Sequence, residues 1–181
     1  MEKKYNLLGI SGSLRAGSFN TKLVLEAARA FDPAEFTQGN IRFPLYDGDF
    51  EDSQGVPAEV HLLADQCLAA DAIVISTPEY NGNLSGVLKN ALDWLSRTKK
   101  APLKGKPLAI ISAADGKSGG ARSQNSLRLC LTSFRPRLSL GPDVMISGAG
   151  TAFDEDGRLK DEKSFEFLTL SMAALKSEIG R

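Results

Sequence analysis

At 181 residues, with 42% hydrophobic and 24% charged side chains, the chain is long enough for one domain spanning residues 1–181 with a sizeable core. Lysine plus arginine equals aspartate plus glutamate, 22 of each, which is neither the basic excess of a nucleic-acid binder nor the acidity of a disordered chain. No apolar run approaches the roughly 20 residues that cross a bilayer, and Met1-Glu2-Lys3-Lys4 leads into a strand rather than a signal-peptide core. A cytoplasmic protein with no membrane or nucleic-acid partner is expected.

The first element is an apolar run, Leu7-Leu8-Gly9-Ile10, that empties into Ser11-Gly12-Ser13-Leu14-Arg15-Ala16-Gly17-Ser18-Phe19-Asn20 before the pattern turns helical. Glycines in such a turn let the backbone approach an anion, and the helix that follows points unpaired N–H groups at it. Hydroxyls at Ser11, Ser13 and Ser18, the Asn20 amide and the Arg15 guanidinium are candidate donors. Gly12 and Gly17 stand at Walker spacing, but Ser18 and Phe19 follow where Lys and Ser/Thr are required. Gly9, Gly12 and Gly17 have the wrong intervals for the dinucleotide fingerprint. What remains is a metal-free, hydroxyl-rich loop suited to a monoester phosphate, or a tight strand-to-helix turn with no ligand.

Residues 20–31 carry Leu23, Val24, Ala27, Ala28 and Phe31 at helical spacing, with Ser18 or Asn20 as cap and Asp32-Pro33 as the stop. A weak strand over residues 35–41 and an irregular connection over 43–48 come next. From Pro57 to near Ala70, Val60, Leu63, Ala64, Cys67 and Leu68 mark a second helix. Ala72-Ile73-Val74-Ile75-Ser76 reads as a central parallel strand covered on both faces. It empties into a polar loop, residues 77–83, after which Ser85 caps a third helix with Val87, Leu88, Ala91, Leu92 and Leu95 inward. Past the basic turn Lys99-Lys100, a buried strand over 107–112 leads into a third glycine-rich loop, residues 113–120. A fourth helix over about 121–134, short strands near 137–140 and 144–146, a turn at 154–157 and a final amphipathic helix through Phe165, Leu168, Met172, Leu175 and Ile179 complete the chain.

Cys67 and Cys130 fall on apolar helix faces and read as reduced core thiols. His61, the one histidine, has no partner at ligand spacing, so neither a zinc site nor a Ser-His-Asp triad is expected. Strands alternating with helices predict an α/β fold, a doubly wound five-stranded parallel sheet with helices on both faces. A phosphate loop after the first strand selects the flavodoxin-like order 2-1-3-4-5, whose ligands bind above strands one and three. The loops after strands one, three and four would meet there.

Four motifs resemble the NADPH-dependent FMN reductase family, which includes bacterial quinone, chromate and azo-dye reductases. Gly12-Ser13-Leu14-Arg15-Ala16-Gly17-Ser18-Phe19-Asn20 is similar to its G-S-L-R-x-G-S-x-N loop, and Pro78-Glu79-Tyr80-Asn81 to its P-E-Y-N. Leu88-Lys89-Asn90-Ala91-Leu92-Asp93-Trp94 resembles its L-K-N-A-x-D-W, and Gly119-Gly120-Ala121-Arg122 its G-G-x-R. The resemblance implies FMN, with Ser13, Arg15, Ser18 and Asn20 on the phosphate and Phe19 beside them. It implies Pro78, Glu79, Tyr80 and Asn81 bordering the isoalloxazine ring, and backbone groups of Ser112, Ala113, Asp115 and Gly116 near the pyrimidine end. It also implies a homodimer, or a dimer of dimers, that packs the third and fourth helices across the interface and completes the pocket. The family's P-E-Y-N-x-S-x-P-G pattern is broken here by Gly82, Asn83 and Ser85, which bears on substrate choice.

The expected activity is ping-pong hydride transfer from NADPH or NADH to bound FMN and then to a quinone, azo, metal-ion or flavin acceptor. Side chains need supply no acid, base or nucleophile, because the cofactor carries the chemistry. The rivals are a flavodoxin-like electron carrier, disfavoured by the neutral charge, and a protein that takes FMN as a free substrate. Tyr80 reads as a ring contact or a packing group, Glu79 as a site residue or a solvated charge, and Trp94 as a core or dimer anchor. Asn90 and Asp93 read as helix-surface or interface groups, and Lys89 and Arg122 as surface charges or aids to a nucleotide phosphate.

Overall fold

Period-two alternation along the central strands sorts their side chains to two faces, and each face is covered by helices. A computed structural model describes residues 4–181, so the charged start at 1–3 lies outside the described residues. The elements run β1 (Asn6–Ser11), α1 (Phe19–Phe31), β2 (Glu35–Gly39), α2 (Gly48–Gln54), α3 (Ala58–Ala69), β3 (Ala72–Ser76), α4 (Gly86–Arg97), β4 (Pro107–Ala113), α5 (Ala121–Leu131), β5 (Arg137–Leu138), β6 (Val144–Ile146), α6 (Ala149–Ala152) and α7 (Glu162–Ser177). Leu8, Ile10, Ile73, Ile75, Leu108 and Ile110 pack against α3, α4 and α5. Leu7, Ala72, Val74, Ala109 and Ile111 pack against α1 and α7. Each fully buried Leu or Ile in these layers contributes about 1.5–3 kcal/mol.

All strand pairs are parallel, in the order β2-β1-β3-β4-β5, with β6 also on β4. The expected 2-1-3-4-5 order therefore holds, with a sixth strand in addition. It arises because the fifth position is divided: β5 pairs with Pro107 and Leu108, and β6 with Ile111 to Ala113. Between them lie Gly141 and Pro142, and proline has no N–H to give a ladder.

The doubly wound plan depends on a close approach at Gly9. A Cβ there would lie 2.4 Å from Val24 Cγ1 and 2.8 Å from Phe36, so only glycine lets α1 settle onto β1 and bring its N-terminus over the β1/β3 switch point. The connection expected over 43–48 ends in α2, which buries no residue and so carries no apolar stripe to announce it; Asp47 caps it by accepting from the Asp49 N–H at 2.9 Å. The strand expected to reach Ile41 stops at Gly39, and the helix expected to reach Phe134 ends at Leu131 and continues as a 3-10 turn over Thr132–Phe134. Asn90 is only 8% exposed, not a surface group. It accepts from the Tyr46 N–H and donates to Pro44 O, which Trp94 Nε1 also reaches at 2.8 Å. Among the described residues no helix is long and apolar enough to cross a membrane.

Candidate active site

Three loops meet at the carboxyl ends of β1, β3 and β4 and enclose a cleft of about 270 Å³. It is lined by Ser13, Arg15, Ser18, Phe19, Asn20, Pro78, Glu79, Tyr80, Ala113, Ala114, Asp115, Gly116 and Ser118. Ser11, Asn81 and Ser112, expected at the site, are not in this lining. Ser11 sits behind the loop, where its Oγ accepts from Thr21 Oγ1 at 2.9 Å. Asn81 occupies the exposed tip of a hairpin turn. Ser112 is fully buried and turned toward α5, donating to Gly119 O at 2.6 Å and accepting from Gln124 Nε2 at 2.9 Å. Ala114 and Ser118 also line the cleft without belonging to any of the four motifs, and both lie in the glycine-rich loop after β4.

The first wall is an anion cradle. Ser18 caps α1, its Oγ accepting from the Thr21 N–H at 3.3 Å, while its own N–H closes a turn onto Arg15 O at 3.1 Å. The N–H groups of Ala16, Gly17, Phe19 and Asn20 have no acceptor among the described residues. They belong to the loop and first helical turn, where the helix dipole favours negative charge. Gly12 ties the loop to the sheet: its N–H donates to Ser76 O at 2.7 Å and its carbonyl accepts from Ser85 Oγ at 2.5 Å. A Cβ on Gly12 would come within 3.0 Å of Pro78 Cδ and 3.1 Å of Ser76 O.

Arg15 is the cation of the lining, and among the described residues no carboxylate pairs with it. The two lining carboxylates are engaged elsewhere. Asp115 Oδ1 accepts from the Gly150 N–H at 2.7 Å, and Glu79 Oε2 accepts from the Arg122 N–H at 3.0 Å. The cradle therefore offers one free guanidinium, two hydroxyls and several free N–H groups, a donor set matched to a phosphate monoester dianion.

The Asn20 side chain, a candidate phosphate donor, is engaged within the fold, which leaves the residue's N–H in the cradle. Its Nδ2 donates to Ala113 O at 2.9 Å, while its Oδ1 accepts from the Ala113 N–H at 3.0 Å and from Ser76 Oγ at 2.8 Å. The amide thus pairs with the end of β4 as a neighbouring strand would, and clamps α1, β3 and β4 beneath the cleft.

The other two walls differ in chemistry. Pro78 and Tyr80 form a largely apolar wall, in which the Tyr80 N–H donates to Asn83 O at 3.0 Å. In the wall made by the loop after β4, the N–H groups of the lining residues Asp115 and Gly116 have no acceptor among the described residues. One side is thus apolar and the other is rich in donors, which is how a planar heteroaromatic ring with one polar edge is held. Phe19 also lines the cleft and stacks on Phe153 at 6.2 Å between centroids.

The sequence profile of the NADPH-dependent FMN reductase family matches residues 5–151. An NAD(P)H-dependent FMN reductase of Pseudomonas aeruginosa is 42% identical over 183 aligned positions, covering 100% of this chain and 98% of that protein. A quinone reductase of Escherichia coli K12 is 37% identical over 186 positions, with 100% and 98% covered. The flavoenzyme NAD(P)H:(acceptor) oxidoreductase FerB of Paracoccus denitrificans superposes with a TM-score of 0.85 at 31% identity over 97% of each chain. The phosphate cradle, the two-sided ring cleft and these relatives agree: the chain belongs to the NADPH-dependent FMN reductase family, oxidoreductases that use FMN and NAD(P)H.

Proposed function

We propose that the chain keeps FMN bound and reduces quinones with NAD(P)H in a ping-pong cycle. The observation that carries this reading is the pairing of a cradle holding an uncompensated Arg15 with a cleft apolar on one side and donor-rich on the other. Arg15, the Ser13 and Ser18 hydroxyls and the N–H groups of Ala16, Gly17, Phe19 and Asn20 bind the phosphate. Pro78 and Tyr80 pack against the ring, and the N–H groups of Asp115 and Gly116 hold its polar edge and favour negative charge there. Bound FMN supplies two-electron redox chemistry between a nicotinamide and an acceptor. Tyr80, 49% exposed at the rim, bounds the face on which nicotinamide and acceptor take turns. Quinone is the proposed acceptor because Pro78 and Tyr80 give the cleft an apolar wall, Arg15 is assigned to the phosphate and the Glu79 and Asp115 carboxylates are engaged by backbone N–H groups, and because the Escherichia coli relative is named for that activity.

We place the protein in the cytoplasm as a homodimer through α4 and α5. In support, Leu45 is 82% exposed close to α4 and Leu129 73% exposed on α5, apolar surface that a second copy would cover. Light scattering at micromolar concentration gives twice the 19.4 kDa chain mass on this reading and the chain mass if it is wrong.

The functional test is a steady-state panel of NADPH and NADH against quinone, azo, ferric and free-flavin acceptors. Parallel double-reciprocal lines with quinone support the proposal. A colourless desalted protein that oxidises NADPH only with added FMN overturns retained FMN, and intersecting lines overturn the ping-pong order.

A further inference from the structure

The loop after β3 is fastened to α5 at two points. Glu79 Oε2 accepts from the Arg122 N–H at 3.0 Å and the Ser123 N–H at 3.4 Å, and its other oxygen lies 3.6 Å from Arg122 Nη1. These N–H groups open α5, whose cap residue is Gly120 with no side chain to satisfy them. Glu79 therefore caps the helix from a different loop. One turn further along α5, Ser126 Oγ donates to Asn83 Oδ1, which also accepts from the Leu84 N–H at 2.8 Å.

Between these points, Tyr80 and Asn83 exchange both backbone hydrogen bonds, at 3.0 and 3.1 Å. Asn81 and Gly82 between them have φ of 52° and 75°, the paired left-handed positions of a type I′ hairpin. A lone two-residue hairpin is marginal in water, so its persistence depends on the fastening. The anchor is itself rigid. Gly119 and Gly120 have φ of 59° and 99°, and a Cβ on either would lie 2.7 Å from Met145 backbone or Ser112 Cβ, so the start of α5 is pressed onto β6 and β4.

We infer that this double fastening makes residues 79–83 a rigid rim that holds Tyr80 at the mouth of the cleft and selects acceptors by size. Glu79, Asn83 and Ser126 are its positioning residues. Asn83 and Ser126 do not line the cleft, so they act through Tyr80. The acceptor half of the inference rests on the oxidoreductase reading above; the rigidity of the rim does not.

The test uses FMN-loaded protein carrying Ser126→Ala, Asn83→Ala, Glu79→Gln or Glu79→Ala. Amide hydrogen exchange across residues 79–84, the FMN dissociation constant, and kcat and KM for benzoquinone and a bulkier naphthoquinone are measured. In Ser126→Ala and Asn83→Ala, exchange at Tyr80 and Asn83 accelerates about tenfold. FMN affinity stays within about twofold, and the naphthoquinone-to-benzoquinone ratio of kcat/KM shifts about threefold through KM with kcat held. Glu79→Gln, which keeps an acceptor oxygen, falls between the parent and Glu79→Ala. Unchanged exchange in all four variants overturns the rigid rim. Faster exchange with an unchanged acceptor ratio overturns selection by Tyr80. If the parent itself reduces no quinone with either nicotinamide, the oxidoreductase reading fails and the acceptor half falls with it, while the exchange data still decide the rim.

Discussion

Asn20→Ala separates a cofactor contact from a structural clamp. The side chain is 3% exposed and makes three hydrogen bonds, two with Ala113 and one with Ser76, residues that are themselves 2% and 0% exposed. Losing three such bonds costs about 3 kcal/mol at about 1 kcal/mol each. Alanine's higher helix propensity offsets about 0.5 kcal/mol, leaving a loss of about 2.5 kcal/mol. For a domain of this size, that lowers Tm by about 5–10 °C. The assay is urea unfolding of the FMN-free protein followed by circular dichroism, so that loss of cofactor cannot contribute. A loss below about 1 kcal/mol in FMN-free protein, together with weakened FMN binding, would refute the clamp and return the amide to the phosphate.

Three further outcomes follow from the same geometry. Arg15→Ala removes the unpaired cation of the cradle and raises the FMN dissociation constant about 10- to 150-fold, the equivalent of 1.5–3 kcal/mol for a charge-assisted bond, with the melting temperature of FMN-free protein unchanged; equilibrium fluorescence quenching measures it. The Glu26 carboxylate is 1% exposed, and burial works to raise its pKa, but hydrogen bonds from Arg29, Arg158 and the Leu159 N–H outweigh burial and hold it below the ordinary carboxylate range. Its stabilising contribution is therefore complete above the unfolded-state value near 4.3 and lost as pH falls through the lower folded value; Glu26→Gln should destabilise by about 2 kcal/mol at pH 7, discounted for half-exposed arginines, and converge with the parent in acid, whereas a gap that widens in acid contradicts the sign. Burial pushes the Cys67 thiol up to about 12, so an aromatic disulfide reagent at pH 8 modifies at most Cys130 in the native protein and both cysteines after denaturation.

What the sequence made legible was set by local chemistry. Residues 72–76 and 144–146 announce their strands through short apolar runs, and Ser85 announces α4 through a cap three residues before the Leu88 N–H it accepts from. The phosphate loop was legible because its glycines, hydroxyls and arginine are contiguous. The Asn20 amide was not, because its partner Ala113 lies 93 residues away, and only the doubly wound packing brings them together. Glu79 read as a site residue or a solvated charge for the same reason: Arg122 is 43 positions on. Ser112 is different, since a signal for it existed. It shares strand parity with Leu108 and Ile110, which face α3, α4 and α5, so the alternation already turned its side chain away from the cleft, in keeping with the expectation that it offers only backbone groups there. α2 offered no apolar stripe at all.

In the proposed cycle the cleft above β1 and β3 holds FMN and exchanges electrons with NAD(P)H on one side and a quinone on the other. An anaerobic titration of the desalted, FMN-loaded protein tests it most directly. One equivalent of NADPH or NADH should bleach the yellow colour, and one equivalent of benzoquinone should then restore it. A yellow protein whose absorbance responds to neither nicotinamide would contradict the claim.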